Sequence, residues 1–419
     1  MSALLTSTYN TGWMNGNIKG AFLSDTDDTD LVGATYDESF DDNSNGWTGL
    51  SGDNNLEITG GQLVSLAPRD GQVYAAKRIY TGILAGDLVE ISFTVSSVDV
   101  GLGPRLVSDL GNLQYYNAGS HIIYMVAPID NPTLGIQVRQ NNEWKVDNIS
   151  VKLADADRSV NNNGLTVNGT VTRTPVATGA DLVGYGGFDY AATKYLSQPY
   201  NPALAFGTGD FCLMWWNMAV TTTSQFRWLL GLYDPVGGER RLAAYMTSPG
   251  GLRLRINNLE YAVVNNTAIP AANAWNLFAF VRKDGVVSLY RDGVLLVSQS
   301  APVAINSAAT DEFRIGGLGS LGPDLSRFAL LRISATAPTA EQIAKIYEDE
   351  KVLFQENAQA TLYGSSDAVT ALAHDDATNL LHVGTSGGRS VFQGLRRVSN
   401  TTTAVGTAIS ASNGLVVEE

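Results

Sequence analysis

Two adjacent tryptophans, Trp215 and Trp216, sit in the apolar run FGTGDFCLMWWNMAV that starts at residue 206. Indole rings can stack on sugars, so the pair could bind a ligand as well as fill a core. On a strand, successive side chains face opposite ways. The two indoles must therefore serve two different surfaces. Burial is worth roughly 2 to 3 kcal/mol for each, which accounts for both without a ligand. Aromatics beside turn signals are better sugar platforms. Trp47, Tyr115, Tyr116 and Trp144 are the candidate carbohydrate-binding residues on that ground.

Carboxylates crowd in DTDDTD, where Asp25, Asp27, Asp28 and Asp30 could ligate calcium, and again at Asp41 and Asp42. The run lacks the glycine and distal glutamate of an EF-hand loop. A solvated acidic turn is the simpler expectation, and no cofactor is required. His374 and His382 flank a turn signal and are expected on adjacent strands. Two imidazoles make a poor metal site unless symmetry brings further ligands to an axis. Glycoside hydrolysis needs two carboxylates about 5 to 9 Å apart on one strand face. The nearest acidic cluster, Glu348 to Glu350, falls in a helical segment and reads as a solvated tip, so no catalytic residue is assigned. Gly-x-Ser-x-Gly, Walker and His-Glu-x-x-His patterns are missing.

These residues need strands to position them. Charged residues are only 16% of the 419, with 43 glycines and frequent Asn, Thr and Ser, which suits an all-β chain with many short turns. LEITGGQLVSL and LVEISFTVSSVDV alternate with period two, and TGGQ and QNNE mark hairpin turns. KDGVV between two apolar runs predicts a tight hairpin, because Asp-Gly takes the positive φ of a primed turn. One helix is predicted in TAPTAEQIAKIYEDEKVLF, with Thr339 and Gln342 as a capping box and Ile343, Ile346 and Tyr347 on one face. Length implies two or three domains. Their expected bounds are an arm at 1–35, a β-sandwich at 36–154, a larger sandwich at 158–355 and a β tail at 357–419. The Gly/Asn-rich ADADRSVNNNGLTVNG reads as the connection between the sandwiches, and the short arm, with Tyr9, Trp13 and Phe22, is expected to pack on a neighbour.

The net charge of −14, from 27 basic and 41 acidic residues, repels nucleic acid and anionic membranes. The single cysteine, Cys212, lies in an apolar run and reads as a buried hydrophobe. The opening MSALLTSTYNTGW has no basic n-region, and no apolar stretch is long enough to span a membrane. The product is expected to stay in the cytoplasm where it is made unless it leaves in a particle.

Residues 158–355 resemble the concanavalin A-like, laminin-G-like jelly rolls. The resemblance rests on FGTGDF before an aromatic strand, the strand WNLFAFVR, the hairpin LYRDGV, the strand FRIGG and the closing helix SATAPTAEQIAKIYEDE. The segment from SFDDNSNGWTGL to VDNISVKL looks like a carbohydrate-binding-module sandwich, and VTALAHDDATNLLHVGTSGG is similar to one β-propeller blade. In order, head, sandwich, jelly roll and tail resemble tail-fibre or appendage proteins of tailed bacteriophages.

That resemblance implies a non-enzymatic virion protein that meets host-surface glycan, with the arm binding other virion proteins. A propeller needs at least four blades and the tail supplies one, so a homo-oligomer is expected. A trimer fits the fibre analogy, and five or six copies fit the blade argument. The alternatives are a capsid decoration protein, a bacterial surface lectin, which would need a secretion signal, and a polysaccharide-degrading glycoside hydrolase.

Overall fold

The structure is a computed structural model. It describes residues 17–33, 35–38, 47–49, 56–59, 61–65, 73–78, 82–98, 104–108, 114–138, 144–159, 161, 163–189, 193–218, 227–247, 251–264, 273–317, 326–358, 369–393 and 396–418. Tyr9, Trp13, Asp41, Asp42 and the QNNE turn lie outside the described residues.

The apolar run organises the larger sandwich. Its strand Phe211–Met218 lies inside a nine-stranded sheet, between Arg327–Ser334 and Trp275–Lys283. Phe211, Leu213 and Trp215 point into the core between this sheet and the opposing one, where Trp215 meets Phe278 and Phe280. Cys212, Met214 and Trp216 point the other way and are covered by Ile343, Ile346 and Leu353. A strand buried on both faces must be apolar throughout rather than alternating. The chain is all-β with this one short helix among the described residues, and the sandwich is a jelly roll.

The covering helix, Ala340–Glu350, starts where predicted. Gln342 N–H donates to Thr339 Oγ1 at 3.2 Å, and Thr339 N–H donates to Gln342 Oε1 at 2.8 Å. Its far end departs from the solvated tip expected of EDE. Glu348 and Asp349 are exposed, but Glu350 is only 4% exposed. The Trp216 indole N–H donates to Glu350 Oε2 at 2.8 Å, and Arg332, itself fully buried, pairs with the other oxygen. A buried guanidinium and a buried indole both need an acceptor, and the last helical turn supplies it. The predicted Asp-Gly hairpin is also present, with Asp284 at φ 50° and Gly285 at φ 73°.

The arm does not await a neighbour between residues 17 and 33. Ile18–Phe22 pairs antiparallel with Arg327–Ser334, and Leu31–Val32 pairs with Thr170–Pro175. Phe22 is fully buried in the jelly-roll core, 6.4 Å from Phe313. Unpaired backbone along Arg327–Ser334 and on Thr170–Pro175 of this chain's own sandwich was open to it, so intramolecular pairing satisfied its backbone.

The smaller sandwich sets Leu88–Val98 and its neighbours against a four-stranded sheet containing Val73–Arg78 and Thr133–Val138. Its long strand Trp144–Asp155 runs on into the jelly roll. Ala154 and Asp155 pair with Thr166 and Leu165, which fuses the two sandwiches into one thirteen-stranded sheet. The connection between them is correspondingly fixed. Asp157, buried, accepts the backbone N–H groups of Ala21, Ser159 and Asn163 at 2.8 to 3.0 Å.

In the tail, Val369–Asp375, Leu380–Thr385, Gly388–Gln393 and Arg396–Thr401 form a four-stranded antiparallel sheet. A hairpin of Ile409–Ser412 and Leu415–Glu418 packs near it, tied by Arg389 to Glu418.

Candidate ligand-binding surfaces

The aromatics proposed as sugar platforms are mostly core. Trp144 is fully buried, and Trp47 and Tyr116 are 4% and 5% exposed, all in the cluster between the sheets of the smaller sandwich. Tyr116 packs edge-on to Phe93 at 4.9 Å. A turn signal near an aromatic does not reveal which side of the pleat it takes, and these three took the inner side. Tyr115 is half-buried, with the Arg105 guanidinium 5.5 Å from its ring centroid.

The acidic run encloses a cation that the chain itself provides. Arg173 reaches into it, pairing with Asp25 at 3.1 Å and Asp27 at 2.7 Å and donating to the Thr29 carbonyl. Its backbone N–H goes to Asp30 Oδ1 at 3.1 Å. Burial pushes the Asp27 carboxyl up, but hydrogen bonds from Thr29 and the charge of Arg173 bring it below the ordinary value. The guanidinium thus stands where a calcium ion was considered, and Asp28 stays exposed. His374 and His382 are on adjacent strands, but Ala373 pairs with His382 and His374 with Leu381. The two imidazoles therefore leave opposite faces of the sheet and cannot share a metal. Among the described residues no cluster of metal-ligating side chains forms.

The outer face of the thirteen-stranded sheet is different. Along its jelly-roll part, Leu230, Leu232, Leu242, Leu254, Phe313 and Ile315 fill the core. The alternate positions look outward. Register places Arg314, Gly231, Ala243, Arg255 and Glu260 in one row across five strands. Gly231 and Ala243 lie between two arginines, about 14 Å apart at three strand spacings, and both are buried, with Ala243 packed against Trp228 and Tyr233 beside them. No larger side chain fits at Gly231, where a Cβ would lie 2.0 Å from the Leu242 carbonyl oxygen.

Rings wall this trough. The Arg314 guanidinium lies 4.0 Å from the Tyr195 ring centroid and 5.4 Å from that of Tyr233, and it pairs with Glu312. On the far side, Arg255 sits 4.8 Å from the Tyr245 ring centroid. Glu260 accepts from the Tyr245 hydroxyl, from Arg253 at 2.5 Å and from Arg255 at 3.0 Å. Burial raises the Glu260 carboxyl, but these three donors outweigh it and hold the group below its usual value. Tyr245 is pushed up to about 12, by burial first and then by the Glu260 contact. The face offers flat rings and oriented donors with nearly balanced charge, the chemistry that grips polyhydroxylated molecules. GLRLRI and EFRIGG carried this signal in their alternation of aliphatic residues and arginine.

Residues 186–344 match the profile of the concanavalin A-like lectin/glucanases superfamily, laminin G type. This stretch is similar to concanavalin A-like domains, in line with its jelly-roll fold. No curated protein matches the chain. Solved structures that the chain matches in part include a Trypanosoma rangeli sialidase bound to the inhibitor DANA, at 14% identity and TM-score 0.37 over 48% of this chain and 31% of that one. The binding domain of Paraclostridial Mosquitocidal Protein 1 gives 13% and 0.40 over 57% and 62%. The receptor binding domain of botulinum neurotoxin C/D mosaic serotype gives 12% and 0.38 over 57% and 59%. The chain spans less than two thirds of the length of each. The jelly roll has a lectin-type, carbohydrate-binding-like fold.

Proposed function

We propose that the chain is a non-catalytic adhesion subunit of a bacteriophage virion, a tail fibre or similar appendage, whose jelly roll holds host-surface glycan in the trough. The observation that carries glycan binding is the row Arg314, Gly231, Ala243 and Arg255 bounded by Tyr195, Tyr233 and Tyr245. The half-buried rings of Tyr195 and Tyr233 offer stacking surface and the half-buried Arg314 and Arg255 oriented donors, above a floor closed by Trp228 on Ala243. The order of head, sandwich, jelly roll and blade-like tail supports the virion reading.

Binding without hydrolysis fits the placement of the face's carboxylates. Glu312 and Glu260 lie four strand spacings apart, about 19 Å, which is wider than the ~5 to 9.5 Å that glycoside hydrolysis requires. Both are also engaged by arginines.

Weak sites act firmly when copies are linked. The tail sheet exposes Leu372 and Val398, and its hairpin exposes Leu415 and Val417. Sister copies in a homo-oligomer, three or five to six around an axis, would cover such surface and close its strand edges.

The test is binding of the fluorescently labelled full chain to an array of bacterial surface polysaccharides. The reading predicts retention on at least one polysaccharide, lost in Arg314→Ala, with no release of reducing sugar. Retention unchanged by Arg314→Ala would remove the trough from the mechanism, and release of reducing sugar would replace adhesion with hydrolysis.

A further inference from the structure

The two sandwiches meet at a buried carboxylate. Glu90, on Leu88–Val98, accepts the Tyr124 hydroxyl from the smaller sandwich at 2.7 Å and the Thr166 hydroxyl from the jelly roll at 2.7 Å. Gly164 closes the joint, since a Cβ there would come within 2.9 Å of the Asp155 carbonyl oxygen and of Leu88. Beside this joint, on the surface, lies a cleft of about 150 Å³ whose lining includes Ile122, Tyr124, Asn163, Gln198, Tyr200 and Asn201.

The cleft has a built floor. Gln198 is 2% exposed, donates to the Asn163 carbonyl at 2.5 Å and accepts from Asn201 Nδ2 at 3.0 Å. Asn201 Oδ1 is held in turn by the Ala203 N–H at 2.9 Å. These bonds fix the amides yet leave capacity, because Asn201 Nδ2 has a second hydrogen to give. The Asn163 side-chain amide and the Tyr200 hydroxyl have no partner among the described residues. Two tyrosines, Ile122, Pro199 and Pro202 supply the apolar walls, and none of the eight lining side chains carries a formal charge.

We propose that this cleft is a second glycan site, taking one neutral sugar residue between Tyr124 and Tyr200 with its hydroxyls on Asn163 and Asn201. Amide and hydroxyl partners without a fixed charge suit a neutral pyranose and give an acidic or amino sugar no counter-ion. The inference deepens the adhesion reading, on which its biological sense rests, but it stands on a different surface. A chain with both sites holds one glycan at two points of a rigid sheet.

The test uses ligand-observed NMR on the full chain, with the methyl glycosides of glucose, galactose and mannose, N-acetylglucosamine, and glucuronic acid as the charged comparison. At least one neutral glycoside should give saturation transfer that Tyr200→Ala or Asn163→Ala weakens by about tenfold or more, the order of one lost aromatic or hydrogen-bonded contact. Arg314→Ala should leave that signal intact. Both cleft side chains are partly exposed, so the variants should melt like the parent. No signal from any neutral glycoside, or a signal indifferent to Tyr200→Ala, would overturn the cleft. If the polysaccharide is then still retained through Arg314, adhesion stands without the cleft. If the cleft binds while Arg314→Ala leaves polysaccharide retention unchanged, the trough falls and the cleft remains.

Discussion

The two outer faces of the jelly roll are built from opposite solutions to the same geometry. On the nine-stranded sheet, Trp216, Met214 and Cys212 are roofed by a helix, and the buried charge of Arg332 is matched by Glu350. On the thirteen-stranded sheet the corresponding positions hold Arg314, Arg255 and Tyr233, half-buried around a small buried patch of Trp228 and Ala243 that no described helix covers. A strand whose back is covered can be apolar throughout, whereas a strand whose back meets water must alternate. Chemistry is therefore to be sought on the alternating face, and the conspicuous tryptophans belong to the architecture.

The contrast can be broken hardest at the roof. Glu350→Ala leaves the Arg332 guanidinium buried without its carboxylate and the Trp216 N–H without an acceptor. The expected cost is about 3 to 5 kcal/mol in denaturant unfolding. A loss below about 1 kcal/mol would mean that the helix is not what stabilises that face.

A second buried carboxylate sharpens the comparison because it lacks such a close partner charge. Asp155 is raised to about 6, by burial first and by Asp25 next, although the Tyr185 hydroxyl donates to it at 3.0 Å. The folded state thus holds this proton more tightly than the unfolded chain, whose value is 3.8. Its effect on stability is absent below about pH 4 and grows as the pH rises to about 6. Over that window the chain should lose about 3 kcal/mol through this group, at 1.36 kcal/mol per unit. Asp155→Asn should flatten that part of the profile of unfolding free energy against pH. An unchanged slope would contradict the assignment.

The smallest effect lies at the start of the roof. Thr339→Ala removes the cap and should cost about 1 kcal/mol, read as reduced thermal stability with glycan retention unchanged.

Much of the fold was legible in the sequence because its signals were local. The capping box at Thr339 and Gln342 and the Asp284–Gly285 turn depend on neighbours in the chain, and both formed as predicted. What the sequence concealed was long-range. Nothing near Glu350 marks that it would meet Arg332 and Trp216, nor that Arg173 would reach the acidic run 143 to 148 residues away. The fusion of both sandwiches through Trp144–Asp155 depends on a two-residue pairing within a segment that reads as a linker. For the candidate site, the outward arginines of GLRLRI and EFRI were visible, but only register shows that Gly231 and Ala243 lie between them. Three of the four aromatic candidates, Trp47, Tyr116 and Trp144, are core for the converse reason, since residue type and a nearby turn do not determine which side of a sheet a ring occupies.

The most direct test sets the two faces against each other in one assay. Retention on the polysaccharide array and the melting temperature would be measured for Arg314→Ala, Tyr195→Ala and Glu350→Ala. The account predicts that the first two lose retention while folded, below their own transitions, and that Glu350→Ala melts earlier yet retains glycan below its transition. Full retention by both trough variants would contradict it.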